Sequence, residues 1–186
     1  GRLLNKMNTF YDFINCAEYL KKNKYSKNIT IEGRSAGGLL MGVCVNMRPD
    51  LFTNVIAGVP FVDILNSMSD PKLPMVTPEW KQWGNPNIKK YYDYIKKYAP
   101  YNNIKKDKFP NILALGGFRD PRVPYWEPAK FIARVRYNNI NNNNMLLLKT
   151  DMNSGHFGYK DRYKRLRDLA ETYAFVIKGI QLTGNK

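Results

Sequence analysis

The chain has 186 residues, which suits one ordinary domain and argues against two. Hydrophobic residues make up 44% and charged residues 24%, both near globular averages, so wholesale disorder, a collagen-like chain and a disulfide scaffold are excluded. Apolar runs such as Met145-Leu146-Leu147-Leu148 fall far short of the ~18 residues of a bilayer span, and no membrane segment is expected.

The net charge of +15 raises the question of a nucleic-acid partner, because basic surfaces condense on phosphate backbones. The lysines are spread through nearly every polar stretch, in Lys21-Lys22, Lys89-Lys90, Lys96-Lys97 and Lys105-Lys106, mixed with Asn and Tyr. That dilution reads as a solvated surface, and no specific nucleic-acid partner is expected. Cys16 and Cys44 fall in helical patterns and read as small core residues, too few for a secreted disulfide framework. The chain opens Gly1-Arg2-Leu3-Leu4 with neither an initiator Met nor a signal segment. We therefore expect a piece of a longer protein, with the cytoplasm as its compartment.

In chain order, residues 9–22 place Phe10, Phe13, Ile14, Ala17, Tyr19 and Leu20 mostly three and four apart, which predicts an amphipathic helix capped by Asn8 or Thr9. Asn28-Ile29-Thr30-Ile31 predicts a strand ending at Gly33. Residues 35–46 form a buried helical pattern with Ala36, Leu39, Leu40, Val43 and Cys44, stopped before Pro49. Residues 55–60 read as a buried strand. Residues 66–108 hold prolines, Trp/Tyr clusters and turn signals, an excursion from the sheet with one short helix near 89–98. A strand over 111–117, a helix over 126–136, a strand over 145–149 and a long helix over 161–180 complete the chain. The asparagine-rich stretch 138–144 reads as a solvated loop without a catalytic role.

Strands alternating with helices predict an α/β fold, a mostly parallel sheet with helices on both faces. Four strands are visible, with one flank lacking an edge-protecting strand. That gap fits a fold truncated on its N-terminal side, its earlier strands lying before Gly1.

Gly33-Arg34-Ser35-Ala36-Gly37 fits the G-x-S-x-G nucleophile elbow, in which a strand turns sharply into a helix and lifts a serine hydroxyl clear of the sheet. A side chain at either flanking glycine is expected to collide with the neighbouring strand or helix. Chance supplies both glycines to a given serine on the order of 0.5% of the time, and here a β run precedes and an apolar helical run follows. The N–H of Ala36, at the helix start, is the expected oxyanion donor.

A serine hydroxyl needs a base within reach, ordinarily an imidazole held by a carboxylate. The chain has one histidine, His156, just after the last strand in Ser154-Gly155-His156-Phe157-Gly158. The order Ser, Asp, His then calls for an acid after an intervening strand. Asp120, beyond the 111–117 strand, fits; Asp63 and Asp151 are its rivals, and Asp107 sits in the excursion.

These residues resemble the prolyl oligopeptidase family of serine peptidases, most closely its oligopeptidase B branch. The resemblance rests on Glu32-Gly33-Arg34-Ser35-Ala36-Gly37-Gly38-Leu39-Leu40-Met41-Gly42, Ala57-Gly58-Val59-Pro60-Phe61-Val62-Asp63 and Trp83-Gly84-Asn85-Pro86. It continues in Asp120-Pro121-Arg122-Val123 with Tyr125-Trp126-Glu127-Pro128-Ala129-Lys130, and in Thr150-Asp151-Met152 with Ser154-Gly155-His156.

The resemblance implies an α/β-hydrolase domain and an endopeptidase that cuts short peptides after Arg or Lys through an acyl-enzyme. It implies a triad of Ser35, Asp120 and His156, with no metal or cofactor. Arg122 then corresponds to the arginine that contacts bound peptide, and Glu79 to an acid of the pocket for the basic P1 side chain. Further acids near Glu79 are replaced by Lys81 and Gln82, and Lys81 is expected to oppose a cationic P1 group. The family's propeller, its early hydrolase strands, the tyrosine that supplies a second oxyanion donor and the acids of the second pocket lie outside this chain. An esterase or acylaminoacyl-releasing hydrolase with the same triad is an alternative, as is a basic binding module on a hydrolase scaffold.

Overall fold

In a computed structural model, residues 1–140, 143–158 and 161–184 are described. Four strands form one sheet in the order β1 (Thr30–Arg34), β2 (Asn54–Gly58), β3 (Asn111–Gly117) and β4 (Leu146–Asp151), every neighbouring pair parallel. Among the described residues the helices are α1 (Met7–Lys22), α2 (Ala36–Met47), α3 (Ile64–Ser69), α4 (Val76–Trp83), α5 (Lys89–Lys96), α6 (Trp126–Asn138) and α7 (Arg162–Gly184).

The register explains which residues face which layer. Val55 pairs with Ile31 and Ile112, and Ile112 with Leu146, so one apolar row crosses the sheet. With Ala114 it packs against Ile14 and Ala17 of α1, Met41, Cys44 and Val45 of α2, and Phe131, Ile132 and Val135 of α6. Each fully buried aliphatic or aromatic side chain contributes roughly 1.5–3 kcal/mol. The alternate row carries Ile56 and Leu113 to the other face, where they meet Phe175 of α7. Two buried asparagines fasten α7 there. Asn54 Nδ2 donates to the Val176 carbonyl at 3.2 Å and Asn111 Nδ2 to the Gly179 carbonyl at 3.4 Å. The expected helices on both faces are therefore present.

Several local expectations need correction. Lys6, not Asn8 or Thr9, precedes the first residue of α1, and no side chain caps it. Tyr19, Leu20 and Cys16 are exposed, because the buried stripe of α1 runs through Phe10, Ile14 and Ala17. Cys44 is the core thiol, and burial pushes its pKa up to about 12. The excursion holds three helices rather than one, with α3 and α4 preceding α5. The asparagine stretch is partly structural. Asn144 Nδ2 donates to the carbonyls of Phe109 and Pro110 at 3.0 Å each, tying the loop to the start of β3. Residues 141 and 142 of that stretch lie outside the described residues.

Candidate active site

Parallel strands bring all their C-terminal ends to one rim, where a ligand site of an open α/β sheet forms. At the end of β1, Ser35 sits between strand and helix with φ 55° and ψ −119°. A left-handed φ on a non-glycine residue is strained and persists only where its surroundings enforce it. Here the Ser35 N–H donates to the Gly58 carbonyl at 2.9 Å, and the Ser35 carbonyl accepts the N–H groups of Phe61 and Leu39, both at 3.1 Å. The elbow is pinned to the end of β2 on one side and to α2 on the other.

The glycines around it divide by function. A Cβ on Gly33 would lie 2.3 Å from the Gly37 carbonyl oxygen, and one on Gly38 would lie 2.5 Å from the Pro60 Cα. A Cβ on Gly37 meets nothing within 4 Å among the described residues, so the expected collision at that flank is absent and the close approach falls to Gly38. Ala36 is the first residue of α2, and its N–H belongs to the helix-terminal set without an intrahelical acceptor.

Asp120 and His156 meet across the next strands. His156, buried in the loop after β4, has Nδ1 2.8 Å from Asp120 Oδ2, and Asp120 lies in the loop after β3. The second carboxylate oxygen, Oδ1, accepts the N–H groups of Arg122 and Val123 at 2.8 and 2.9 Å, which holds the acid in one orientation. Its rivals are engaged elsewhere: Asp63 pairs with Lys130 at 2.5 Å, and Asp151 Oδ1 accepts the N–H groups of Asn153 and Ser154. Arg34, adjacent to Ser35, reaches across Gly58 and donates through Nη2 to the His156 carbonyl at 3.1 Å. The turn at Ser35 and the histidine loop are thus joined directly.

Beside Ser35 and Ala36 opens a cavity of about 140 Å³ that is also lined by Phe61, Ser67, Trp83, Glu79 and Arg122. Glu79, in the first turn of α4, accepts the Trp83 indole N–H through Oε2 at 3.0 Å. The Arg122 guanidinium lies 5.7 Å from the centre of the Phe157 ring, which packs edge-on against His156 at 5.2 Å. Lys81 does not line this cavity. It borders a separate cleft with Gly1, Arg2 and Pro78, and its carbonyl accepts Arg2 Nε at 2.9 Å. Gln82 lines the cavity, as does the cationic Arg122.

Phe61, Ser67, Met68 and Val76 were not legible as cavity walls, since they lie on or beside short helices with little periodicity of their own. No group of three or more His, Cys, Asp or Glu side chains among the described residues is placed to hold a metal ion. No helix among them is long and apolar enough to cross a membrane.

A comparison with known proteins matches residues 1–183 to the prolyl oligopeptidase family. Protease 2 of Moraxella lacunata is 42% identical over 95% of this chain and 26% of its own length. Dipeptidyl aminopeptidase BI of Pseudoxanthomonas mexicana is also 42% identical, over 95% of this chain and 25% of its own. The chain thus spans about a quarter of the relatives it matches. Oligopeptidase B from Leishmania major superposes with a TM-score of 0.94 at 50% identity, covering 98% of this chain and 26% of that one. Oligopeptidase B from Trypanosoma brucei, with covalently bound antipain, gives 0.93 at 48% identity over 97% and 26%. With its elbow, its parallel α/β-hydrolase sheet and a match along nearly its full length, this chain belongs to the prolyl oligopeptidase family of serine peptidases.

Proposed function

We propose that this chain is the carboxyl-terminal part of the catalytic domain of an oligopeptidase B-like endopeptidase, with Ser35, His156 and Asp120 as its triad. The observation that carries the reading is the buried His156–Asp120 pair, whose acid is held by the backbone of Arg122 and Val123 on the wall of the Ser35 cavity. Asp120 fixes the Nδ1–H tautomer, so Nε2 is the proton acceptor. Ser35 Oγ attacks the scissile carbonyl carbon while its proton passes to Nε2, and the carbonyl oxygen becomes an oxyanion facing the Ala36 N–H. Collapse breaks the C–N bond, the amine leaves with the proton from Nε2, and Ser35 carries the acyl group. Water then attacks the ester, loses its proton to Nε2, and the acid departs as Ser35 regains a proton.

Glu79 supports cleavage after Arg or Lys in short peptides, since this acid is among the residues that line the cavity and Lys81 is not. Arg122, on the same wall, is placed to grip a peptide carbonyl. A cytoplasmic setting fits two cysteines that are both free thiols. The test is cleavage by the full-length protein of blocked peptides with Arg, Lys or Phe at P1, repeated with Glu79→Gln. Preference for Arg and Lys that Glu79→Gln removes is the expected result; equal rates on all three would sink the basic specificity.

A second reading, release of dipeptides from a free amino terminus, draws on the equal similarity to dipeptidyl aminopeptidase BI. Comparing N-blocked with unblocked peptides separates the two, since an endopeptidase cuts both.

A further inference from the structure

Glu127 is 0% exposed, and no catalytic step described above uses it. It stands in the first turn of α6, directly after the loop that carries Asp120 and Arg122. Its two carboxylate oxygens reach across to α3 and to the connection that leads into it from β2. Oε1 accepts the Ser67 hydroxyl at 2.6 Å, and Oε2 accepts the Asp63 N–H at 2.8 Å. Ser67 in turn lines the same cavity as Ser35, Glu79 and Arg122.

Lys130, on the same helix, makes a second link to that connection. Its Nζ is 2.5 Å from Asp63 Oδ2, while Asp63 Oδ1 accepts Asn66 Nδ2 at 2.8 Å. Burying a carboxylate is costly, and a well-packed apolar side chain often does as well or better where packing alone is needed. A buried acid that spends both oxygens on one neighbouring element therefore points to a fixed geometry between the two elements.

We propose that Glu127 is a positioning residue for the substrate pocket: as a carboxylate it holds the Ser67 hydroxyl and the Asp63 amide, and so sets the α3 wall of the cavity against the loop of Asp120 and Arg122. This rests on the serine peptidase reading above. Two donors require two acceptors, which the ionised form supplies. A protonated carboxyl places an O–H against one of those donors, and that contact weakens. Burial pushes the Glu127 pKa up to about 7, with the Asp63 carboxylate adding to the rise and the bonds from Ser67 and the Asp63 N–H opposing it. The charged groups at this junction are Asp63, paired with Lys130, and Lys130 and Arg134, which lie 4.6 and 4.8 Å from the Tyr101 ring centre. The latch is thus held above neutrality and loosened below it.

The test measures kcat and KM of the full-length protein and of Glu127→Gln from pH 6 to pH 9, on peptides with Arg or Phe at P1. Glutamine keeps the shape and one acceptor, and so imitates the protonated acid at every pH. The expected result at pH 8 is a KM about three- to tenfold higher in the variant, the effect of one lost hydrogen bond. Its kcat stays within about twofold, since Glu127 touches no reacting atom. The KM difference closes as pH falls to 6, and Glu127→Asp, which keeps the charge, restores its pH dependence. Equal KM values at every pH would overturn the proposal, as would a parallel loss of kcat and KM that ignores pH. Failure of the unaltered protein to cleave either peptide would instead overturn the peptidase reading, and this inference with it.

Discussion

Asp120 divides its two carboxylate oxygens between two tasks: Oδ2 meets His156 Nδ1 at 2.8 Å, while Oδ1 accepts the amides of Arg122 and Val123 at 2.8 and 2.9 Å. The acid that we propose orients the base is therefore held by the same short loop that forms one wall of the cavity beside Ser35.

Asp120→Asn keeps the shape of this arrangement but favours the wrong imidazole tautomer, since the amide NH₂ faces Nδ1. A fall in kcat of about 10⁴ with folding retained is expected, by analogy with the corresponding substitution in other serine peptidases. Steady-state kinetics with circular dichroism as the folding control measures it; a loss under tenfold would remove Asp120 from the triad.

Arg34, the residue before Ser35, donates to the His156 carbonyl at 3.1 Å. Arg34→Met keeps much of the aliphatic stem that packs over Gly58 and deletes the bond. A kcat lower by about tenfold, with little change in KM, is expected for one lost charge-assisted bond. An unaltered kcat would show that the histidine loop holds its position without this contact.

The glycines of the elbow are not equivalent. Gly38→Ala drives a Cβ to 2.5 Å from the Pro60 backbone, and Gly33→Ala drives one to 2.3 Å from the Gly37 carbonyl. Both variants are expected to fold poorly or lose activity, whereas Gly37→Ala is expected to retain it. Soluble yield and specific activity of the three variants decide the order, and a Gly37→Ala protein as damaged as Gly38→Ala would reverse it.

The two thiols should differ sharply in reactivity. Cys44 is buried, with its pKa pushed up to about 12, so almost none of it is thiolate at pH 8, while Cys16 is exposed. Iodoacetamide at pH 8 followed by peptide mapping should modify Cys16 and spare Cys44 until denaturant is added. Comparable rates at both positions in the native protein would contradict the placement of Cys44.

Much of the architecture was legible because parallel strands buried on both faces read as continuous apolar runs. Residues 111–117 are such a run, and β3 occupies that span. The pairing of Asp120 with His156 was legible for a different reason: chain order along the strands limits which acid reaches the single histidine. Two things were hidden. Helices α3 and α4 have 6 and 8 residues, too short to stand on periodicity, and they owe their form to packing of Leu65, Met68, Val76 and Trp83 in a shared cluster. Cys16 lies about 100° round the helix from Ala17, enough to leave the buried stripe, and spacing alone does not decide where that stripe ends. Glu127 was hidden too, because an acid in the first turn of a helix ordinarily complements the helix dipole at the surface.

The most direct test is labelling of the full-length protein with a fluorophosphonate, which reacts with a serine only when a neighbouring base activates it. Rapid modification that maps to Ser35, disappears in Ser35→Ala and slows at least about a thousandfold in His156→Ala is the expected result. Modification that persists in Ser35→Ala, or proceeds at an unchanged rate without His156, would contradict a nucleophile at the end of β1 served by the imidazole after β4.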